Sequence, residues 1–157
     1  MPFLSIYQVA PVEKSDQETQ TEDKEWQDPK PFYRRIDKKY HDGPVAFNKE
    51  ETKMYLTRNN YENKSEEGIV KLQLFTTQMQ ENGKWSSLEA FPYNSSEYSV
   101  AHASITYDGK CMYFASDMPG GFGGADLYKV SIKEDGSYGK PENLGARVNT
   151  WMCFILK

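Results

Sequence analysis

The chain has too few cysteines, too little positive charge and too short apolar runs for three common classes of protein. Among its 157 residues only Cys111 and Cys153 carry thiols, and neither belongs to a CxxC pair. A disulfide-stapled scaffold and a structural zinc site therefore have no basis, and both cysteines are expected as unpaired buried thiols. Lysine and arginine number 19 against 23 aspartates and glutamates, a formal net charge of −4. Nucleic-acid binding needs a basic face, so this balance argues against it. No segment approaches the roughly 20 apolar residues of a membrane-spanning helix. The opening Met1-Pro2-Phe3-Leu4-Ser5-Ile6-Tyr7 lacks the positive start and apolar run of a signal peptide. No stretch repeats its apolar residues at a helical period. Glycine is absent before Gly43, although the chain holds 11.

Aromatic residues, by contrast, make up 14%, with 11 Tyr and 8 Phe, which a disordered chain does not carry and strands favour. From Glu13 to Asp28 the sequence has seven acids, two lysines and Trp26 as its single hydrophobic residue. Such a stretch cannot bury enough surface to offset its ordering entropy, so a solvated linker is expected. Pro29 and Pro31 close it, and an extended run from Phe32 to Ile36 follows. Residues 1–39 are thus read as a polar lead-in with at most one strand of a neighbouring unit.

Beyond Gly43 the pattern becomes regular. Met54-Tyr55-Leu56-Thr57 reads as a short strand, and Val70, Leu72 and Leu74 alternate with Lys71 and Gln73 as a strand with one buried face. Asn82-Gly83 then turns the chain into Trp85. The same order returns farther on. Met112-Tyr113-Phe114-Ala115 is a strand, Tyr128, Val130 and Ile132 alternate with Lys129 and Ser131, and Asp135-Gly136 turns into Tyr138. Phe47 matches Ile105, Tyr55 matches Tyr113, Trp85 matches Tyr138 and Phe91 matches Leu144. Two units follow, residues 40–98 and 99–150, each turn, strand, loop, strand, turn, aromatic and an exit ending in Asn. A strand-only repeat of this length implies stacked units of a β-propeller or related solenoid. The fold expected is all-β: a partial β-propeller of about two four-stranded antiparallel blades. Residues 151–157 break the pattern and read as a truncated tail.

The second unit carries a family resemblance. Residues His102 to Asp117 (HASITYDGKCMYFASD) resemble the HPSxSPDGxxLYFxSD core of TolB/WD-like β-propeller repeats. Residues Gly120 to Tyr128 (GGFGGADLY) resemble the GGFGGxDIY turn of that repeat in Bacteroidetes envelope proteins, and Asp135 to Thr150 is similar to its DGxWGxPxNLGxxxNT exit. The resemblance implies a non-enzymatic scaffold of the periplasm and outer membrane, of the kind linked to OmpA-like domains and type IX secretion, with envelope proteins as partners. The chain shows no OmpA-like domain and no lipoprotein signal, so peptidoglycan binding is not carried over. Two alternatives stand beside this reading: the non-catalytic propeller of a peptidase or hydrolase, and a glycan-binding propeller using Tyr and Trp rings such as Trp85 and Tyr138.

Site by site, the residues favour structure over chemistry. Gly120-Gly121-Phe122-Gly123-Gly124 fits neither phosphate-binding glycine motif and is read as a tight loop. Asp117 and Asp126 bracket it, with acceptance of the loop's amides as the first reading and Ca²⁺ coordination as the other. His102 is read as ordering an inter-strand turn rather than acting as base or ligand. Asp108-Gly109, Tyr113 and Tyr128 complete the repeat motif. No nucleophile elbow or His-Glu-x-x-His run occurs, so neither catalysis nor a cofactor nor a metal is expected. Asn63-Lys64-Ser65 and Asn94-Ser95-Ser96 fit the glycosylation acceptor pattern. Binding is expected through the loops 59–68 and 119–124, with Tyr61, Pro119 and Phe122 as the contact residues.

Overall fold

Period-2 alternation and Asx-Gly turns give strands and nothing else: among the described residues there is no helix, only antiparallel sheet. The computed structural model describes residues 5–12, 26–32 and 40–150. A short ribbon pairs β1 (Tyr7–Gln8) with β2 (Lys30–Pro31). The first four-stranded sheet holds β3 (Asp42–Phe47), β4 (Lys53–Lys64), β5 (Val70–Gln78) and β6 (Glu89–Ala90) in that order. The second holds β7 (Val100–Ile105), β8 (Cys111–Ser116), β9 (Asp126–Ser131) and β10 (Glu142–Asn143), again in sequence order. The linker residues 13–25, the extended run after Phe32 and the tail 151–157 with Cys153 lie outside the described residues.

The repeat read from residue types is also a repeat of backbone bonds. Met79 N–H donates to the Thr52 carbonyl at 2.7 Å, and Ile132 N–H to that of Lys110 at 2.8 Å. The bridge of Met79 to Trp85 recurs as that of Ile132 to Tyr138. The first strand of each sheet, β3 and β7, lies at an edge and carries a bulge against its neighbour. At the exits Asn94 and Asn149 act alike: each side chain accepts the N–H and binds the carbonyl of Leu74 or Leu127, at 2.7 to 3.0 Å. A side-chain amide thus replaces one residue of a missing strand, and Asn94 is engaged rather than presented as a glycan acceptor.

The two sheets share one core. Tyr55, Leu74 and Phe91 of the first meet Val100, Met112, Phe114, Tyr128 and Val130 of the second. Phe114 lies at the centre, edge-on to Phe91 at 5.6 Å and stacked with Tyr128 at 5.7 Å. Each such buried side chain contributes about 1.5–3 kcal/mol relative to exposure. The opposite face of the first sheet is closed too: Met54 and Leu56 are fully buried, and Phe32 packs against Phe47 and Trp85. Two residues beyond Leu56 on the same face of β4, Arg58 forms a buried ion pair with Asp42 at 2.6 Å.

Three expectations need correction. The alternation in β5 assigned Leu72 to a buried face, yet Leu72 is exposed and Gln73 is buried. Both faces of this sheet are covered, so Gln73 lies inside, where it accepts from Asn60 Nδ2 and donates to the Ser95 carbonyl. The segment 59–68 is not a loop for most of its length. Pairing resumes past a bulge at Lys64–Val70, so Tyr61 sits on a strand extension. Cys111 is half-buried and free rather than fully buried, because it lies on the uncovered face of β8.

Candidate functional site

The glycine-rich loop joins β8 to β9, and Asp126, first residue of β9, organises it. Its carboxylate accepts Phe122 N–H at 2.5 Å, Gly123 N–H at 3.0 Å and Asn143 Nδ2–H at 2.8 Å. Asn143 in turn accepts from Asn149 Nδ2 at 2.9 Å, so the loop, β9, β10 and the exit clamp form one polar network. Burial opposes ionisation of Asp126, but the N–H of Phe122, the Asn143 amide and the N–H of Gly123 outweigh it and lower its pKa. Glycine is required here by space. A Cβ on Gly121 would overlap the Asp126 carboxylate, and one on Gly123 would come within 2.5 Å of the Thr150 carbonyl oxygen.

Asp117, at the loop's other end, takes no loop amide. It accepts Ser99 N–H at 2.5 Å and pairs with Lys71 at 3.2 Å, tying β5 of the first sheet to the second. His102 orders its surroundings through its backbone: with φ at 58° it donates its N–H to Thr57 Oγ1 at 2.9 Å, again between the sheets, while its side chain is exposed. Asp108 accepts from Thr106 Oγ1 and Lys110 N–H in the turn holding Gly109, and these bonds lower its pKa. Tyr128 is a core residue and Tyr113 lies half-open on the outer face of β8. Pro119, Gly120 and Gly124 are exposed in the loop.

Of the expected contact residues, Phe122 is 46% exposed at the loop's tip. Tyr61 is 43% exposed but stacks on Tyr40 at 6.2 Å, and Tyr40 in turn lies under Arg58. The structure therefore does not gather Tyr61 and Phe122 into one cluster; they belong to hairpins of different sheets. Trp85 and Tyr138 are half-buried: Trp85 packs with Phe32 and Phe47, Tyr138 edge-on to Phe91 at 4.8 Å. Sequence reasoning missed the Asp42–Arg58 pair, whose members lie far apart along the chain and carry no motif.

Among the described residues no group of three or more His, Cys, Asp or Glu is placed to hold a metal ion, and no helix is long and apolar enough to cross a membrane. Fold and site together define an all-β protein of two repeated four-stranded sheets, with its polar network serving loop geometry. Comparison with protein-family models, curated proteins and solved structures finds no match for the chain.

Proposed function

We propose that the two sheets are blades of a β-propeller and that the chain is a non-catalytic binding and scaffold module of a bacterial cell envelope. The observation that carries this reading is the repetition of one four-strand topology, bond for bond, in two units packed face against face. Support for the envelope setting comes from the resemblance of the 102–128 segment to envelope propeller repeats. The loop 119–124 supplies the contact surface: Asp126 holds its backbone while Phe122 projects from it. A large apolar ring on a rigid loop binds at low ordering cost.

Photo-crosslinking in a Bacteroidetes cell tests this. A photoreactive phenylalanine analogue at position 122 is expected to capture envelope proteins, whereas the same group at Glu134, on a turn of the second sheet, captures none. Equal capture at both positions, or capture of cytosolic proteins alone, would overturn the proposal. One observation favours the glycan reading as a second possibility: a cleft of about 430 Å³ lined by Phe32, Phe47, Trp85 and Met79 with Gln8 and Glu51. Glycan-array binding lost in a folded Trp85→Ala variant would establish it in place of the first.

A further inference from the structure

The cleft beside Trp85 joins aromatic rings to one carboxylate. Phe32, Phe47 and Trp85 form its apolar side, with ring centres 5.5 to 6.2 Å apart and ring planes tilted by 46° to 75°. Sharing no plane, they offer a concave corner rather than the flat platform on which a sugar ring stacks. The Met79 thioether, 39% exposed, extends that surface. Among the described residues lining the cleft, Glu51 is the single charged one. The internal repeat shows that its turn does not call for a carboxylate. The counterpart of Glu51 is Gly109, and both donate the same bond, Glu51 N–H to the Asn48 carbonyl and Gly109 N–H to that of Thr106. Both have positive φ, 55° and 69°. Glycine adopts that conformation freely, whereas a side chain there is strained, and such strain gathers at binding and catalytic sites. Asn48 holds the turn, accepting from the N–H groups of Thr52 and Lys53. The exposed Glu51 side chain has no hydrogen bond or ion pair with another described residue.

We propose that this cleft binds a small methylated ammonium ion of the choline class, its methyl groups against the rings of Phe32, Phe47 and Trp85 and its charge against the Glu51 carboxylate. A cation is attracted to an aromatic face within about 6 Å of the ring centre, most strongly to that of Trp. The second unit uses this attraction at the equivalent place. Tyr138, the counterpart of Trp85, has the Lys53 ammonium 5.7 Å from its ring centre. A methylated ammonium suits the cleft better than a primary amine. The three N–H donors of an amine need acceptors, and the polar side chains lining the cleft are those of Glu51 and Gln8. Methyl groups instead match the rings and the thioether. The inference rests on the internal repeat and holds whether or not the protein serves an envelope assembly; it departs from the glycan reading of the same cleft.

Titration of the isotope-labelled full chain with choline at constant ionic strength, followed by amide NMR, tests this. Saturable shifts are expected at Gln8, Glu51, Gly83 and Trp85. The uncharged isostere of choline, in which carbon replaces the nitrogen, should bind about tenfold more weakly. Glu51→Gln should weaken choline binding about fivefold, and Trp85→Leu about tenfold. Glu51→Gly should weaken it as Glu51→Gln does while the melting temperature holds or rises, because relief of the positive φ offsets the freedom that glycine adds to the unfolded chain. Equal affinity for choline and its uncharged isostere would overturn the inference, as would a Glu51→Gly variant that binds choline like the parent. So would neutral oligosaccharides that shift these resonances where choline does not, since the cleft would then be a glycan site.

Discussion

Asp126 shows how one buried carboxylate sets the shape of a loop. Its ionised form holds two backbone N–H groups and an asparagine amide, so the charge shapes the fold of the loop. The sign of its pH effect follows. A folded pKa below the ordinary value of 3.8 means that its stabilisation is complete above 3.8 and is lost as pH falls through the lower folded value. Asp126→Asn is expected to lower stability near neutral pH by about 2 kcal/mol, and the loss should shrink on acidification below the ordinary value. Urea denaturation across that pH range measures both. The neighbouring glycines offer a sharper contrast. Gly121→Ala drives a methyl group into the Asp126 carboxylate and should cost about 1–3 kcal/mol. Gly124→Ala meets open space and should stay within about 0.5 kcal/mol of the parent. Equal melting temperatures for the two variants would show that the loop is not packed as described.

Strands and turns were the legible elements, and the reason is local. An alternating run such as Tyr128-Lys129-Val130 can bury only one side as a strand, and Asx-Gly dipeptides force their turns within a few residues. The offset between units was legible because Asn82-Gly83-Lys84-Trp85 and Asp135-Gly136-Ser137-Tyr138 carry the same turn chemistry. What escaped was set by partners distant in sequence. Leu72 looks buried in its run but borders an open cleft where the two sheets meet; Gln73 looks exposed but is enclosed. Asp42 and Arg58 belong to the same class. Burial pushes the Asp42 pKa up against the lowering effect of Arg58, and Asp42 Oδ2 and Arg58 Nη2 have no hydrogen-bond partner. The second sheet has Val100 and Ser116 at the equivalent places, so the repeat does not require the charges. Arg58→Met alone strands a buried carboxylate and should cost about 3–5 kcal/mol. Combined with Asp42→Leu, most of that loss should be recovered. A double variant as unstable as the single one would mean that the pair supplies more than its own neutralisation.

At the scale of the whole molecule the shared core makes the sheets interdependent. Phe114 belongs to β8 but its ring contacts run to Phe91 of the first sheet's exit as well as to Tyr128. Phe114→Ala is expected to cost about 3–5 kcal/mol, and amide exchange should lose protection in β4 and β8 together. Loss confined to β8 would mean that the first sheet stands alone. Length differences between the units take no part in this coupling. The second unit is shorter than the first only beyond the paired centre of the sheet, where the β4–β5 hairpin runs on past its bulge to Lys64 and Val70. Register is set at the other end, by the Asn48 and Thr106 turns and by the bonds from Met79 and Ile132. The hairpin tip is therefore an exchangeable cassette: sequence grafted at residues 61–69, beyond the Asn60 amide that serves Gln73, can vary in length and charge while strand alignment, fixed elsewhere, stays as it is.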